Sequence, residues 1–493
     1  MSLKFSNLCQ ALTHVGKGDL GRLGNDPEIN RARFDSRRIQ PGDLFCALPG
    51  CEDDGRQFMN DAIHNGAVAV LHAGGPGATV VPEFLVDLNT PVAHAAGLAA
   101  SHLAGQPFEE MLVAAVTGTN GKSTVVHMIA EALQHASVPT ARVGTLGFQF
   151  GIEEESCPNT TPSADLLQDW GSKVCTQGAR VVAIEASSHG LIQHRLAGTS
   201  IDVAGWTNLT QDHLDYHPDM ESYAVAKAQL FQRLGSGGCG FIPAANSAIA
   251  AACQGVKENL QRWGLDQEKA ELSGNWQPLK EGGLTLEITG QWGEISITSS
   301  FFGRHNAENL LLSFGMLRAC GLQVEEAATA LSQVSGVPGR LERVAPESPW
   351  NLFVDYAHTP DALSRVLAAL RGVYPAVRIG VVFGAGGDRD ASKRKAMGRA
   401  VAGGSDWCVV TSDNPRGEDP QTIVDEVAAG ASAVHRDVRT RTDRRAAVKE
   451  AIGRLRPGDV LLLAGKGHET YQEVDGVRHP FDDRVVLAEA ARC

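Results

Sequence analysis

Apolar runs, each short enough for one strand and each ending at a polar or glycine-rich turn, set the rhythm of this chain. From Met111 they recur at residues 112–116, 140–143, 180–184 and 201–206, with longer helix-period stretches between them. Unbroken apolar strands alternating with helices predict a mainly parallel sheet with helices on its faces. Residues 282–302 differ, because 284–288 and 295–298 alternate apolar and polar positions as antiparallel edge strands do. A helix bearing Ala307 to Ala319 follows, and residues 335–340, Ser-Gly-Val-Pro-Gly-Arg, read as an interdomain hinge. Before residue 107, short apolar stretches are separated by turns such as Gln40-Pro41-Gly42-Asp43 and Leu48-Pro49-Gly50, which fits a small α/β domain. Beyond the hinge, four apolar strands each run directly into a polar motif: Asp355-Tyr356-Ala357-His358, Gly384 to Asp390, Asp413-Asn414-Pro415-Arg416, and Gly465-Lys466-Gly467-His468-Glu469. Ligands of open α/β sheets bind outside the carboxyl ends of the strands, so these four motifs imply a site. The expectation is an α/β protein of three domains, 1–107, 108–336 and 337–493.

Length agrees, since 493 residues exceed one ordinary core. With 43% hydrophobic and 20% charged residues and no apolar run near the roughly 20 residues of a membrane span, a soluble globular protein is expected. The first ten residues lack the apolar core of a secretory signal, so the expected location is the cytoplasm. The 10 cysteines show neither zinc spacing nor a disulfide framework. A net charge of −13 argues against nucleic acid as a partner. Small-molecule substrates and a monomer, with no membrane partner, are expected.

The most chemically explicit stretch is Gly118-Thr119-Asn120-Gly121-Lys122-Ser123-Thr124, directly after an apolar strand. Backbone N–H groups in such a loop surround phosphate oxygens, Lys122 reaches the β/γ-phosphates, and Ser123 places its hydroxyl on a magnesium ion. A nucleoside triphosphate is implied, with ATP expected. Val116 stands where the strict P-loop pattern has glycine. Glu185 closes the strand at 180–184, where P-loop enzymes hold the metal. Residues 206–217 are dense in polar groups, including Asp212, His213, Asp215 and His217, and Lys227 follows on an expected helix. Taken alone, Lys227 reads as a solvated lysine.

The octapeptide Thr-Gly-Thr-Asn-Gly-Lys-Ser-Thr resembles the loop of the Mur ligase family, ATP-dependent amide-bond-forming enzymes of peptidoglycan precursor synthesis. The resemblance implies a P-loop ATPase-like central sheet, a Rossmann-like C-terminal sheet and a small N-terminal α/β domain. It also implies that Lys122, Lys227 and His213 are catalytic, and that Ser123, Glu185, His213 and a carbamate on Lys227 hold magnesium. Asp212, Asp215 and His217 would orient their loop. Asn306, Arg340 and Asp355, the last paired with His358, would contact adenine and ribose beside the loop residues 118–124. Phe34, Ser36, Cys51, Glu52 and Asp53 resemble the contacts to a uridine nucleotide. Asn159, Thr160, Thr161, Ser187, Gln193 and Arg195 resemble those to a muramoyl-dipeptide.

Within the family, arginine at the fourth position of Asp413-Asn414-Pro415-Arg416 goes with meso-diaminopimelate, which carries a second carboxylate that L-lysine lacks and that a guanidinium grips bidentately. Arg389, Asn414, Gly465 and Glu469 are the other expected contacts, with Glu469 meeting the distal ammonium. The implied reaction joins meso-diaminopimelate to UDP-N-acetylmuramoyl-L-alanyl-D-glutamate through an acyl phosphate. Three rivals remain at this stage: a folylpolyglutamate synthase, a small-molecule kinase and a non-catalytic nucleotide-binding regulator.

Overall fold

A computed structural model describes residues 2–20, 24–50, 53–75, 79–214, 216–256, 259–267, 269–279, 283–290 and 294–492. Its centre is an eleven-stranded sheet ordered Glu153–Glu155, Gly147–Phe150, Thr140–Gly144, Val181–Glu185, Leu112–Thr117, Ile201–Trp206, Leu234–Pro243, Asn259–Leu265, Leu272–Pro278, Leu284–Gly290 and Ile295–Ser299. The strands from Thr140–Gly144 through Leu272–Pro278 are parallel, and an antiparallel pair closes each edge. Every residue of Thr140–Gly144 and Val181–Glu185 is buried, because helices cover both faces. Helices Lys122–His135, Arg304–Ala319 and Val324–Gln333 pack on one face, and Ala164–Thr176 with Met220–Ala228 on the other. The expected parallel strands and the antiparallel pair near 284–299 are present. The hairpin Gly147–Phe150/Glu153–Glu155 and the strand Leu234–Pro243 escaped the hydrophobic pattern, since the first ends in three glutamates and the second opens Leu-Gly-Ser-Gly-Gly.

A second, six-stranded sheet is ordered Glu342–Val344, Asn351–Asp355, Val460–Ala464, Ile379–Phe383, Trp407–Thr411 and Val438–Arg441, parallel except for its first strand. All four predicted C-terminal strands therefore point the same way, and their polar motifs emerge on one edge. The N-terminal region folds around a five-stranded sheet, Gly16–Asp19, Glu83–Val86, Ala69–Ala73, Leu44–Cys46 and Ala32–Arg33, with helix Val92–Leu103 on its core. The fold is thus α/β in three domains. Among the described residues no helix is long and apolar enough to cross a membrane.

Candidate active site

Strand Leu112–Thr117 lies between Val181–Glu185 and Ile201–Trp206, so three strand ends converge where the glycine-rich loop begins. Gly118 and Gly121 adopt φ of 142° and 88°, and neither has room for a side chain. A Cβ on Gly118 would fall 1.9 Å from Thr207 Oγ1, and one on Gly121 would fall 2.6 Å from Asn309 Oδ1. The loop is stitched to the segment after Trp206: Thr119 N donates to the Asn208 carbonyl and Asn120 N to Asn208 Oδ1, each at 3.0 Å. Thr124 is buried one turn into the helix that follows. Lys122 Nζ donates to the carbonyls of Gly118 and Thr119, both at 3.0 Å. Burial draws its pKa down, with Glu185 and Asp212 opposing.

Ser123 Oγ donates to Glu185 Oε2 at 2.9 Å, and Thr145 adds its N–H to Oε1 at 2.8 Å and its hydroxyl to Oε2 at 3.1 Å. Space for this carboxylate comes from Gly144, where a Cβ would lie 2.2 Å from Glu185 Oε1. A carboxylate and a hydroxyl in contact form the hard-oxygen donor pair a divalent cation such as magnesium takes. Among the described residues no three His, Cys, Asp or Glu converge as a metal cluster, so such an ion would rest on Ser123 and Glu185 with help from neighbours.

Lys227 and His213 lie beside the loop, both near Lys122. Lys227 is 1% exposed, donates from Nζ to the Gly118 carbonyl at 2.8 Å and lies 4.3 Å from the centre of the Tyr223 ring. Burial first, and Lys122 second, hold its pKa well below the usual lysine range. A buried amine kept neutral has a free lone pair. His213 sits at φ 55° with its Nε2 3.6 Å from Asp212 Oδ2. Desolvation, reinforced by His189, Lys122 and Lys227 against the pull of Asp212, lowers its pKa, an effect tempered by the exposure of nearly half its side chain. His217 pairs with Ser188 Oγ at 3.0 Å, a bond that braces the segment, while Asp215 lies outside the described residues.

Beside the loop opens a narrow cleft whose walls include Asn120, Gly121, Thr124, Asn306, Arg340 and Asp355. Arg340 spans the two sheets: Nη2 donates to Ser123 Oγ at 3.2 Å, and its guanidinium stacks 4.5 Å from the Tyr356 ring centre. Asn306 is fixed by bonds to the Phe302 carbonyl and to Asn309, at 3.0 and 3.1 Å. Asp355 accepts the backbone N–H groups of Leu341 at 2.6 Å and Ala357 at 2.7 Å, so much of its carboxylate is engaged in holding the hinge. His358 has Nδ1 2.7 Å from the Tyr356 carbonyl, and the charges it senses are Asp212, Lys393 and Arg340. Lys393 and Asp212 approach to 3.8 Å, and Asn120 Nδ2 reaches Asp361 at 3.2 Å, giving two further contacts between the domains.

The residues expected at a dipeptide, Asn159 apart, form one connected network ending at Glu185. Arg195 donates to the Thr161 carbonyl at 2.7 Å and to Gln193 Oε1 at 2.7 and 3.1 Å. Thr161 Oγ1 donates to the Glu185 carbonyl at 2.7 Å and accepts from Ser187 N at 2.9 Å. Thr160 Oγ1 lies 3.1 Å from Thr145 Oγ1, and the Asn159 carbonyl accepts from the Cys157 thiol at 2.8 Å. Phe34 packs half-buried on the N-terminal core, Ser36 opens a short 3-10 turn capped by Asp35, and Asp53 lies exposed with its carbonyl accepting from Gly50 N at 2.8 Å. Cys51 and Glu52 lie outside the described residues.

On the C-terminal edge, Asp413, Asn414 and Lys466 are buried together. Lys466 Nζ donates to Asn414 Oδ1 and Glu469 Oε2, both at 3.1 Å, and lies 3.7 Å from Asp413 Oδ1. Asn414 Nδ2 adds a bond to Glu469 Oε2 at 2.8 Å. Gly465, at φ 115°, is required because a Cβ would meet Asp413 Oδ2 at 2.4 Å. Pro415 leads into Arg416, at φ 52°, whose Nη1 donates to the Gly387 carbonyl at 2.7 Å. Arg416 and the exposed Arg389 both flank Gly386. Burial raises the Glu469 pKa and Asp413 adds to the rise, with Lys466 and Asn414 opposing.

Sequence reasoning missed Thr145 and Asp361 as members of these clusters, and gave Asn309 and Lys466 no role of their own beyond their place in the segments 303–309 and 465–469.

Family models match this chain in three consecutive blocks: the Mur ligase family catalytic domain at residues 28–96, the Mur ligase middle domain at 116–317 and the Mur ligase glutamate ligase domain at 339–467. The chain is 39% identical to the UDP-N-acetylmuramoyl-L-alanyl-D-glutamate--2,6-diaminopimelate ligase of Chromobacterium violaceum, over 94% of both proteins. Its identity to the enzyme of the same name from Coxiella burnetii is 38%, over 94% of this chain and 95% of the relative. A solved structure of a ligase of that name superposes with a TM-score of 0.70 at 32% identity, covering 100% of this chain and 99% of the other. With such identity sustained across nearly its whole length, the chain belongs to the Mur ligase family.

Proposed function

We propose that this protein is an ATP-dependent ligase that joins meso-2,6-diaminopimelate to UDP-N-acetylmuramoyl-L-alanyl-D-glutamate, forming an amide with release of ADP and phosphate in cytoplasmic peptidoglycan precursor synthesis. The observation that carries the reading is the pairing of a phosphate loop with a charged cluster built from Asp413, Asn414, Arg416 and Glu469 on the neighbouring sheet. A kinase needs the loop and has no use for the cluster. A folate-type ligase has no use for the network from Thr160 to Arg195.

In this reading the boundaries are 1–107, 108–336 and 337–493, and the protein works as a monomer. Residues 118–124 with Asn306, Arg340 and Asp355 hold ATP. Phe34, Ser36, Cys51, Glu52 and Asp53 take the uridine nucleotide, and Asn159, Thr160, Thr161, Ser187, Gln193 and Arg195 take the dipeptide. The D-glutamyl side-chain carboxylate attacks the γ-phosphorus, the bond to ADP breaks, and an acyl phosphate forms. The amine of diaminopimelate then adds to the carbonyl, loses a proton, and expels phosphate. Lys122 leaves its two carbonyls to follow the charge on the transferring phosphoryl group. Magnesium held by Ser123, Glu185 and His213 would screen that charge. Lys227, neutral through burial, adds to carbon dioxide and releases a proton, giving a carbamate whose oxygens would serve as further ligands to the magnesium. Arg416 and Arg389 take the distal carboxylate of the amino acid, while Asp413, Asn414, Pro415, Gly465 and Glu469 shape the pocket for its ammonium. Closure of the C-terminal domain about residues 335–340 brings these sites together. Superimposable scattering curves with and without ATP and substrate would remove that last element.

The test is phosphate release with magnesium-ATP and the UDP-dipeptide, comparing meso-diaminopimelate with L-lysine. Release with diaminopimelate alone, with a product heavier by that residue, is expected; release with lysine overturns the role of Arg416. Lys227→Ala is expected to abolish turnover and regain part of it with short carboxylic acids, and full activity without rescue excludes the carbamate.

A further inference from the structure

We propose that Lys466 is a positioning and specificity-determining residue for the incoming amino acid, setting the pocket to accept a single ammonium group between Asp413 and Glu469. The inference rests on the reading of this cluster as the amino-acid site. Lys466 itself stands behind that site and does not touch the reacting atoms.

Geometry carries the argument. Lys466 is fully buried, and its three N–H donors face three acceptors: Asn414 Oδ1 at 3.1 Å, Glu469 Oε2 at 3.1 Å and Asp413 Oδ1 at 3.7 Å. Asn414 is fixed in turn, because its Oδ1 also accepts Glu473 N at 3.0 Å while its Nδ2 holds Glu469 Oε2. Both inner bonds to Glu469 fall on Oε2, so Oε1 is the oxygen offered to a ligand, on a side chain still 17% exposed. Behind the cluster, Arg444 and Asp483 neutralise each other through a fully buried two-point ion pair. In contact with Lys466 are two carboxylates to its one ammonium, a net of one negative charge, which one ammonium of a zwitterion completes while Arg416 is left for the zwitterion's carboxylate.

Without Lys466, Asp413 and Glu469 would be two neighbouring buried carboxylates, and one of them would take up a proton rather than stay charged. A protonated Glu469 is a poor acceptor for an ammonium. The groups facing Glu469 are Asp413, Lys466, Asn414, Arg444, Tyr356 and Tyr471. Lys466 alone among them both carries a positive charge and bonds the carboxylate directly.

The experiment uses the full chain and the variants Lys466→Met and Lys466→Arg, with two nucleophiles. Hydroxylamine attacks an acyl phosphate to give a hydroxamate and phosphate without using the amino-acid pocket. For Lys466→Met, hydroxamate formation is expected at the wild-type rate. Its KM for diaminopimelate should rise about 10- to 100-fold, as expected for loss of a charge-assisted bond, with kcat changed less. The acid limb of kcat/KM for diaminopimelate should also move to higher pH, because Glu469 must be ionised to bind, and Lys466→Arg should restore part of the loss. An unchanged KM and pH limb beside normal hydroxamate formation overturns the proposal alone. A wild-type enzyme that forms hydroxamate and never couples diaminopimelate overturns the underlying reading and the proposal with it. Should Lys466→Met also lose hydroxamate formation, Glu469→Gln and the double variant decide. A double variant less impaired than the product of the single effects supports the coupling, and simple multiplication of effects overturns it.

Discussion

Lys227 and Lys466 are equally buried and chemically identical, and their surroundings make them opposites. Lys227 has a neutral carbonyl for its hydrogen-bond partner and a second lysine nearby, so burial drives it toward the uncharged amine. Lys466 stands between two carboxylates and an amide, where its charge is needed by its neighbours. Burial alone therefore does not decide what a lysine is for; the acceptors around it do. The same contrast extends to other cations. Lys122 and Arg416 rest on backbone carbonyls, which are weak partners that an arriving anion displaces, whereas Lys466 is committed to its cluster.

Four measurements test that division, beginning with the largest effect. If Arg416 is a cation waiting for a carboxylate, Arg416→Ala should reduce the preference for diaminopimelate over L-lysine by as much as about 10⁴-fold, read as the ratio of kcat/KM values. Retained preference would move Arg416 into the structural class. Lys122→Met should lower kcat by about 10³-fold while leaving the KM for the amino acid nearly unchanged. Stability sharpens the contrast further: Lys466→Met strands two buried carboxylates and should cost about 3–5 kcal/mol in urea unfolding, while Lys227→Met should cost little or stabilise. Equal losses would erase the distinction.

His127 supplies the limiting case, a base with no hydrogen-bond partner among the described residues. It is buried on the helix that follows the phosphate loop, and neither ring nitrogen has a hydrogen-bond partner among the described residues. Burial first, then Arg142, lowers its pKa to about 4 from 6.5. The unfolded chain therefore binds the proton more readily, so this contribution is complete above pH 6.5 and is lost as pH falls toward 4, about 3 kcal/mol in all. His127→Phe should flatten the stability profile by one proton in that window, and an unchanged slope would mean that the site hydrates.

What could be read from the chain and what could not follow a physical division. Strands 112–117 and 379–383 were visible because a strand buried on both faces must be apolar throughout, and the loop at 118–124 because its glycines answer to backbone geometry. Glu185 was visible because it ends such a strand. Lys466 was visible only as part of the motif 465–469 and its role was not, since its acceptors lie up to 53 residues away in the chain. Thr145 escaped for the same reason, being one threonine in a turn whose hydroxyl matters through Glu185. The pairing of Asp355 with His358 came from the family resemblance; in the structure Asp355 holds hinge N–H groups, His358 faces Asp212 and Lys393, and both sense Arg340.

The hairpin Tyr471–Val474/Val477–Pro480 has a further consequence. Arg416 forms an isolated parallel bridge with Val474, its N–H donates to the Glu473 carbonyl at 3.1 Å, and its own carbonyl accepts Asp475 N at 2.7 Å. In the proposed reaction the turn at 413–416 is thereby clamped by main-chain bonds before the amino acid arrives. A chain cut before Tyr471 would keep every side chain of that turn and still have to order it in each turnover, at about 1–2 kcal/mol for each residue fixed. The hairpin transfers that loss of freedom from every catalytic cycle to the single event of folding.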